Sequence, residues 1–485
     1  MVKKYTKEEI NKLSTEYLIK NISDFLDSEY KEYVFYVLAT RALPSLRDGF
    51  KTGARKILHA AFKGTMKDGS LKKVPNLAGN TMDFSLYPHG DNSLNGTIVT
   101  LSQEFKFNLN PLYIDGQNGT LRSPKASASP RYLYVRLSKY SYLWKTDYEL
   151  LNFLFDEGQF VEPESYLPII PMVIANSQEG MAPGYRFSTM SYNPIDIIDC
   201  CMQVLNGGPV DNNHKENKAA LFDEDNIENF ILHPYIRGIK KENWKYEACK
   251  WVNYGTYKID LPHDCIIVTD LPYDQTYDGF EKMLNKYIDQ EKIKDWKNRS
   301  EGNNIEYVIQ FHKKRLEVFL KTKNAETKIQ DMFKLKKIVP EDLLWVLDEN
   351  NKIKHFKTPQ SLIEYFTNWR LTIYKDRKDR LVKVLEKQYQ DNLKLVKFIE
   401  LVCKGKLKIR NRSLKDVETD MKANDLPKEL INTSMSKVTI EERDKIIKDN
   451  EAIKERYEYI KNSTIKQLYL DDLKALRKEL LPDFK

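Results

Sequence analysis

The most regular pattern of apolar positions lies in the last third of the chain. Thr358 is followed by Pro359, a pair typical of a helix start, and a helical pattern then runs to about Cys403. A helix of about 44 residues is roughly 66 Å long at the usual rise, too long to stand without a partner helix. Its apolar stripe is formed by Leu362, Phe366, Trp369 and Ile373.

A partner helix is indicated further along the chain. Thr439 and Glu442 are spaced as a capping box, and Ile446, Ile453 and Ile460 follow at heptad spacing. The segment 404–438 between the two patterns is polar and rich in turn residues, and Thr464 with Gln467 starts a last helix. Residues 359–485 are therefore predicted to form a long antiparallel coiled-coil stalk with a small helical tip.

The first third has short helical patterns interrupted by glycine and proline, which suit a compact α+β domain at 34–150. Residues 41–62 predict a helix-turn-helix element, and Asp91 is placed to cap a helix whose apolar residues recur at helical spacing. This arrangement resembles a winged-helix domain, and residues 1–33 are predicted to be a helical arm before it. The spaced apolar residues are Leu94, Ile98, Leu101 and Phe105.

The middle of the chain has a different pattern, with short apolar runs between polar helical stretches. Residues 169–174 and 265–269 are typical of buried strands, and a second α/β domain is predicted at 151–358. The whole chain is accordingly predicted to be an α+β protein of several domains.

The distribution of charge changes this picture. The chain carries a net charge of +8, but residues 41–145 alone hold 16 Lys and Arg against 6 Asp and Glu, so this segment carries +10 and the rest −2. A cationic domain binds phosphate backbones with release of counterions, which favours nucleic acid as the partner. A solvated basic face without a ligand is the simpler alternative.

Other classes of protein are disfavoured by the composition. The five cysteines show no paired C-x-x-C spacing, so neither a zinc ribbon nor a disulfide framework is indicated. No run of about 18 apolar residues indicates a membrane span, and the polar start does not suggest a signal peptide. A cytoplasmic protein is predicted.

Three segments of the basic domain carry the chemistry. They are RALPSLRDGFK at 41–51 with Arg55 and Lys56, YPHGD at 87–91, and SPRY at 129–132, with a DGQ turn at 115–117 between the last two. Their order and spacing resemble the breakage-reunion domain of type IIA DNA topoisomerases. The likeness continues through LPIIP and GMAPG at 167–184, VTDLP at 268–272 and TIKQLYLDDL at 464–473.

This resemblance implies a fold of three parts: a winged-helix DNA-cleavage domain, an α/β tower domain, and a stalk ending in a C-gate dimerisation tip. It also implies that Tyr132 attacks a DNA phosphodiester and forms a transient 5′-phosphotyrosyl bond. Tyrosine attack on a phosphodiester requires nearby positive charge, because charge builds up on the phosphate as the new bond forms. Arg131, Arg41 and His89 are the implied catalytic partners of Tyr132.

The same resemblance assigns DNA contacts. Lys51, Arg55 and Lys56 are expected to hold the phosphate backbone, as cationic side chains commonly do. Met181 is expected to be an apolar wedge that unstacks and bends DNA. The chain departs from the family pattern at Tyr87, which replaces the first histidine of the histidine motif, and this puts in doubt any role for a pair of histidines.

Cofactors and partners are also implied. No ATP site and no metal site are expected in this chain; Mg²⁺ and ATP are expected to be bound by partner subunits that carry Toprim and ATPase modules. Double-stranded DNA and a second copy of this chain are the other expected partners, with no membrane. Within the family, the likeness is nearest to the medium subunit of T4-type bacteriophage enzymes, which would place the protein in the host cytoplasm or nucleoid.

Two other classes of function remain open. The H-x-x-R spacing of His312 and Arg315 mimics tyrosine recombinases or relaxases, and a non-catalytic DNA-binding scaffold with a coiled-coil arm would have the same charge and helix pattern. Among 29 tyrosines, Tyr134, Tyr140 and Tyr142 are near rivals of Tyr132. The acidic D-x-D at 223–225 is expected to be a solvated loop.

Overall fold

The fold is that of a computed structural model of the full chain. It describes residues 22–64, 66, 69–207, 232–247, 250–301, 304–339, 343–407, 412–434 and 438–484. These residues form two compact units, one made of the chain up to Thr367 together with the segment from Arg477 onward, and the other made of Asn368–Leu476. The domain boundaries at 33, 150 and 358 remain predictions. No described helix is both long and apolar enough to cross a membrane.

The first unit opens with a helix, α1, that runs from 22 to 42. Its α-helical parts Ile22–Phe25 and Lys31–Val37 alternate with the π-helical turns Leu26–Tyr30 and Leu38–Ala42. The last turn carries Arg41 on its exposed side, while Leu38 and Ala42 are buried. Residues 1–21 of the predicted arm lie outside the described residues.

A winged-helix domain follows, as predicted. Its three helices are α2 (Thr52–Lys63), α3 (Val74–Ser85) and α4 (Asp91–Leu101), and a short strand β1 (Lys72–Lys73) precedes α3. Strands β2 (Leu112–Asp115) and β5 (Tyr134–Leu137) complete an antiparallel sheet in the order β1-β5-β2. Helix α4 begins at Asp91 but its N-cap is Gly90, so Asp91 lies inside the first turn and is not the cap expected from the sequence.

The wing is the hairpin of β3 (Asn118–Thr120) and β4 (Ser123–Ser127). A turn of 3₁₀-helix at Pro130–Tyr132 connects this hairpin to β5. The SPRY segment is therefore placed between the wing and the central strand of the winged-helix sheet. Because β5 is bonded on both sides, the residues just before it start from a fixed backbone.

Two hairpins and two helices lie next along the chain. The strands are β6 (Phe153–Asp156) with β7 (Gln159–Pro163), and β8 (Gln178–Ala182) with β9 (Tyr185–Thr189). The helices are α5 (Met172–Ala175) and α6 (Pro194–Leu205). The apolar run at 169–174 was predicted to be a strand, but it contains the start of α5; a short, fully buried run has no periodicity that separates the two structures.

The rest of the first unit is an α/β region. A three-stranded sheet has the order β10-β11-β16, and a four-stranded sheet has the order β12-β13-β15-β14, all antiparallel. The predicted strand at 265–269 is confirmed as β13. The strands are β10 (Trp244–Glu247), β11 (Lys250–Tyr254), β12 (Tyr257–Asp260), β13 (Cys265–Val268), β14 (Asp295–Asn298), β15 (Tyr307–Gln310) and β16 (Lys336–Val339).

Three helices cover this region, and a hairpin ends it. The helices are α7 (Tyr277–Asp289), α8 (Arg315–Leu320) and α9 (Ala325–Met332), and the hairpin is β17 (Leu344–Leu347) with β18 (Ile353–Phe356). Alternate residues of β13 and β15 bury their side chains against these helices. The resulting core includes Ile266, Val268, Phe280, Leu284, Tyr307, Ile309 and Phe333.

The second unit has the predicted stalk pattern. Helix α10 spans Pro359–Cys403 and crosses from the first unit into the second, α12 spans Ile440–Asn462, and α13 spans Ile465–Leu480. The three predicted N-terminal caps are formed, because the hydroxyls of Thr358, Thr439 and Thr464 accept backbone N–H groups of Ser361, Glu442 and Gln467.

The tip of this unit is a small helical cluster. Helix α11 (Leu414–Ala423) and a 3₁₀ turn at Lys428–Asn432 lie between α10 and α12. They pack against the last turns of α10 around a separate core of Phe398, Ile399, Leu407, Val417, Met421 and Leu426. The predicted helical tip is therefore confirmed.

Candidate active site

Tyr132 lies at the surface, in the 3₁₀ turn that follows the wing. Its side chain is 67% exposed, its backbone N–H donates to the Ser129 carbonyl at 2.9 Å, and the guanidinium of Arg131 lies 5.5 Å from its ring centroid. The phenol forms no hydrogen bond with another described residue. It is therefore accessible to a large substrate, with one positive charge beside it.

The backbone around Tyr132 is fixed more firmly than its side chain. Leu133 is fully buried and its carbonyl accepts the N–H of Val74 at 3.0 Å. Gly116 of the DGQ turn adopts a φ of +122°, and a Cβ there would lie 2.9 Å from Cδ2 of Leu133. Glycine is needed at 116 because side chains other than glycine rarely adopt this positive φ.

The rival tyrosines differ from Tyr132 in their surroundings. Tyr140 is buried and donates to Asp483 at 3.0 Å, and burial raises its pKa. Burial also raises the pKa of Tyr142, with Glu479 adding to the effect. Tyr134 is exposed, but it is a strand residue of β5. Tyr132 has the most accessible phenol of the four.

A second group of predicted residues meets beside the β8-β9 hairpin. Nζ of Lys51 donates to the Glu179 carbonyl at 2.6 Å. Burial lowers the pKa of Lys51; the Glu179 carboxylate acts against this lowering, and the positive charge of Arg41 adds to it. Met181 follows on the same strand with a side chain that is 79% exposed. Arg41, Lys51 and the exposed methionine thus form one surface.

The backbones of this surface are in direct contact. A Cβ built on Gly180 would lie 2.0 Å from the Ala42 carbonyl oxygen and 3.2 Å from Nζ of Lys51. No side chain fits there, so only glycine allows β8 to approach the end of α1 this closely. The contact fixes Met181 relative to Arg41.

His89 lies beside Tyr87, the residue that replaces the first histidine of the motif. It is exposed in the loop before α4, and the ring of Tyr87 meets it edge-on with centroids 5.3 Å apart. Tyr87 also approaches the start of α2, where a Cβ on Gly53 would lie 3.9 Å from its ring, and its hydroxyl is 3.4 Å from Oγ of Ser93. The tyrosine that replaces the first motif histidine therefore packs against the second histidine of the motif.

Arg55 and Lys56 point inward from α2. Arg55 is 8% exposed and its Nε lies 2.7 Å from Oδ2 of Asp48, whose side chain is fully buried. Nζ of Lys56 lies 2.8 Å from Glu162 and also donates to the Ser85 carbonyl at 2.5 Å. The structure thus separates these two residues from the exposed Arg41, Met181 and His89. Their charges are engaged inside the domain, so we now expect them to hold the fold.

Asp48 and Glu162 are the ion-pair partners of Arg55 and Lys56. Neither acidic residue was singled out from the sequence. Asp48 also accepts the N–H groups of Phe50 and Tyr166 at 3.0 and 3.1 Å. Asp48 was visible as part of the RDG motif, but its role depends on the inward direction of Arg55, which the motif does not reveal. Glu162 had no signal in the sequence.

Another buried group on α2 gives a prediction for pH dependence. His59 is 3% exposed and neither ring nitrogen has a hydrogen-bond partner among the described residues. Burial, assisted by the charges of Lys63 and Lys56, lowers its pKa to about 4. Below pH 6.5 the unfolded chain takes up a proton that the folded chain excludes, so stability should fall as the pH drops from 6.5 toward 4, by about 2 kcal/mol at pH 5.

The measurement is the free energy of unfolding in urea at pH 7.5 and pH 5. In His59→Leu the loss between these two values should be smaller by about 2 kcal/mol than in the unsubstituted protein. His263, which is exposed and lies beside Asp260, supplies the matched control as His263→Gln. An equal pH dependence in His59→Leu and the unsubstituted protein would contradict the prediction.

The described residues contain no large cluster of metal-binding side chains. No group of three or more His, Cys, Asp or Glu side chains in this part of the chain is arranged to hold a metal ion. Magnesium in proteins is commonly held by one or two carboxylates together with water and phosphate oxygens, and the charged neighbour of Tyr132 is an arginine. The D-x-D at 223–225 lies outside the described residues.

The segments that carry Tyr132, Arg41 and His89 lie within a match to a known protein family. A sequence profile of the family described as the A subunit of DNA gyrase/topoisomerase IV matches residues 41–476. The chain belongs to this family. The match spans every exposed site residue described above, from Arg41 through His89 and Tyr132 to Met181.

Relatives of this member of the DNA gyrase/topoisomerase IV family include eukaryotic enzymes. The mitochondrial DNA topoisomerase 2 of Dictyostelium discoideum is 31% identical over 486 residues, which covers 95% of this chain and 35% of that protein. The human DNA topoisomerase 2-beta is 31% identical over 391 residues, covering 78% of this chain and 22% of that protein. The chain therefore spans about a third or less of the length of these relatives.

A solved structure shows the same fold. The DNA-binding, cleavage and re-ligation domain of Plasmodium falciparum topoisomerase II superimposes with a TM-score of 0.79, at 23% identity, and covers 95% of this chain and 65% of that chain. The predicted α+β architecture, with its winged helix and long stalk helices, is thereby confirmed.

Proposed function

We propose that this chain is the DNA-cleaving and religating part of an ATP-dependent type II DNA topoisomerase, with Tyr132 as the nucleophile. The observation that carries the proposal is the exposed phenol of Tyr132 in the turn that follows the wing of a winged-helix domain, with the Arg131 guanidinium beside it. Membership of the family and the fold of the Plasmodium domain support it. DNA strand passage and relaxation would be the activity of the complete enzyme.

The reaction follows from the groups present. The Tyr132 oxygen attacks a phosphorus of the DNA backbone, an O–P bond forms, and the bond from phosphorus to the 3′ oxygen breaks. The proton lost by the phenol ends on the 3′ hydroxyl, and the 5′ phosphate stays on the tyrosine. Because one phosphodiester replaces another, the reverse attack by the 3′ hydroxyl reseals the strand without an external energy source.

The exposed cations have distinct proposed roles. Arg131 and Arg41 would stabilise the charge that develops on the phosphate oxygens, which is where fixed positive charge accelerates phosphoryl transfer most. His89 would contact the same phosphate, and Lys51 would hold the adjacent backbone. Tyr132 has no contact with Arg41 or His89 among the described residues, so the bound DNA would join the wing to this second surface.

Met181 would act on the shape of the DNA. Its exposed side chain extends from a hairpin beside Lys51, and an apolar side chain inserted between base steps bends a duplex. Two copies of this chain would be needed for a double-strand break, one tyrosine for each strand, and a two-fold homodimer supplies them.

Mg²⁺ and ATP would come from other modules. The described residues offer no carboxylate cluster, and the chain covers 35% of its Dictyostelium relative. We propose that partner subunits, one or two chains, supply the ATPase and metal-binding modules, as in the T4-type bacteriophage enzymes whose motifs the sequence resembles. The host cytoplasm or nucleoid would be the corresponding location.

The purified chain alone should not relax supercoiled DNA, even with Mg²⁺ and ATP, because strand passage would need the ATPase and metal-binding modules of the proposed partner subunits. Agarose gels of supercoiled plasmid would measure this, with the complex of chain and partner subunits as the positive control. Relaxation by the chain alone, abolished by Tyr132→Phe, would show that the partner requirement is wrong while the nucleophile is right.

A tyrosine recombinase or relaxase is the second candidate, and the structure does not favour it. Arg315 of the H-x-x-R spacing is the first residue of α8 and donates to the Glu291 carbonyl, in the α/β region and far along the chain from the wing. A denaturing gel of protein mixed with labelled duplex would separate the classes. A topoisomerase gives a 5′-linked adduct at Tyr132, and a DNA-binding scaffold gives no adduct.

A further inference from the structure

The wing that precedes Tyr132 is attached at its tip through one buried arginine. Arg122 is the second residue of the turn of the β3-β4 hairpin and is 5% exposed. Its Nη1 donates to the Pro272 carbonyl at 2.7 Å, and its Nη2 donates to Oδ1 of Asp270 at 3.0 Å. The carbonyls of Leu271 and Gln275 accept further bonds, so the guanidinium is enclosed by acceptors.

The receiving segment is itself well ordered by hydrogen bonds. Oδ2 of Asp270 accepts from Asn243 at 2.8 Å, and the Tyr277 N–H returns a bond to the Arg122 carbonyl at 3.0 Å. This segment is the end of VTDLP, which follows β13 in the α/β region. A planar guanidinium with five donors suits such a set of acceptors, whereas a lysine ammonium offers three donors from a single point.

The base of the wing is held from the opposite side. Nε2 of Gln103, just after α4, donates to the Asn118 and Pro124 carbonyls at 2.9 and 3.0 Å. The side chain of Asn118 donates to Oγ of Ser102 at 2.8 Å. The hairpin is thus held at its base by the end of α4 and at its tip by Arg122.

Backbone hydrogen bonds connect this hairpin to the nucleophile. Strands β3 and β4 pair with each other, the Ala128 N–H donates to the Gln117 carbonyl at 2.9 Å, and the Tyr132 N–H donates to the Ser129 carbonyl at 2.9 Å. The exposed side chain of Tyr132 has the Arg131 guanidinium beside it and forms no hydrogen bond with another described residue. Its position is therefore determined by its backbone, and a displacement of the hairpin would move it.

We propose that Arg122, through its ion pair with Asp270, is a positioning residue that holds the wing, and with it the Tyr132 turn that follows, in the geometry required for attack on DNA. This rests on the proposed function of Tyr132. A misplacement of about 1 Å can lower a rate by about 100-fold without changing substrate binding. Arg122 is enclosed and does not contact DNA itself in this arrangement.

The test compares Arg122→Lys with the unsubstituted chain in the complex purified with its partner subunits. The rate of covalent adduct formation is measured at saturating duplex DNA labelled at its 3′ ends, and DNA affinity is measured separately by fluorescence anisotropy. The adduct rate should fall by about 10- to 100-fold, while the affinity should stay within about twofold. A residue that only stabilises the fold would leave the rate per folded molecule unchanged.

Two further variants keep the test decisive. Asp270→Asn preserves the shape of the side chain and removes its charge, so it should lower the adduct rate as well, and it serves as the test if Arg122→Lys does not fold. The double variant should be little slower than either single variant, because both changes remove the same ion pair. Arg477→Lys is the matched control, because Arg477 forms a bidentate pair with Asp199 in the same unit and does not touch the wing. Its adduct rate should be unchanged.

The outcomes separate the two proposals. If the unsubstituted complex forms no adduct at Tyr132, the proposed function is wrong. If it forms the adduct and folded Arg122→Lys and Asp270→Asn react within twofold of it, or if rate and affinity fall together, the positioning role is wrong while the proposed function stands.

Discussion

Replacing Tyr132 by phenylalanine should abolish the covalent protein–DNA adduct and strand passage, with DNA binding nearly unchanged. The substitution removes one oxygen atom that has no hydrogen-bond partner among the described residues, from a side chain that is largely exposed. The fold therefore loses nothing, whereas the reaction loses its nucleophile. A denaturing gel of the enzyme complex with end-labelled duplex measures the adduct, and anisotropy measures binding.

Tyr134→Phe is the matched control for this experiment. Tyr134 is the next tyrosine in sequence and is also exposed, at 41%, yet it belongs to β5 and is paired with Lys73 and Asp115 across the sheet. This variant should keep full adduct formation. An adduct that persists in Tyr132→Phe and disappears in Tyr134→Phe would transfer the nucleophile to Tyr134.

Replacing Arg55 by leucine should destabilise the folded state strongly, by about 3–5 kcal/mol, because it leaves the buried Asp48 carboxylate without its countercharge. Asp48 would keep only the N–H donors of Phe50 and Tyr166. Urea unfolding measures the loss. The exposed pair Lys282 with Asp278 provides a control, since Lys282→Ala should cost less than about 1 kcal/mol.

The same variant tests the direction of Arg55. Removing a side chain that binds a DNA phosphate lowers the dependence of log Kd on log salt by about one unit. Under conditions in which Arg55→Leu is folded, we expect its dependence of log Kd on log salt to be unchanged. Lys51→Ala should reduce this dependence. A reduced slope with little loss of stability in Arg55→Leu would restore the DNA-contact assignment.

The sequence predicted the stalk better than any other part. A threonine cap, a proline in the first turn and apolar residues at helical spacing are local signals, and they located the 45-residue helix Pro359–Cys403 and both later helices. The run at 169–174 was harder because full burial removes the alternation that distinguishes a strand from a helix. Local patterning is informative only where one face meets solvent.

The site shows the same division. Short motifs singled out Tyr132, Arg41 and His89, because the spacing within a motif is a local property of the sequence. All three residues are exposed in the structure. The motifs could not show that Arg55 turns inward to Asp48, since this depends on packing around α2. Arg122 had no motif at all: its acceptors lie about 150 residues away, and only the folded chain brings them together.

The contact of Gly180 with the Ala42 carbonyl sets the distance between two backbone segments that the proposed function assigns to DNA. It joins the backbone that presents the bending wedge Met181 to the backbone that presents Arg41, without an adjustable side chain between them. The distance between the backbone that carries the wedge and the backbone that carries the cation is then set by the polypeptide itself. Sequence changes in the DNA would alter how readily the duplex bends, but they would not alter the distance between the two backbones that carry Met181 and Arg41.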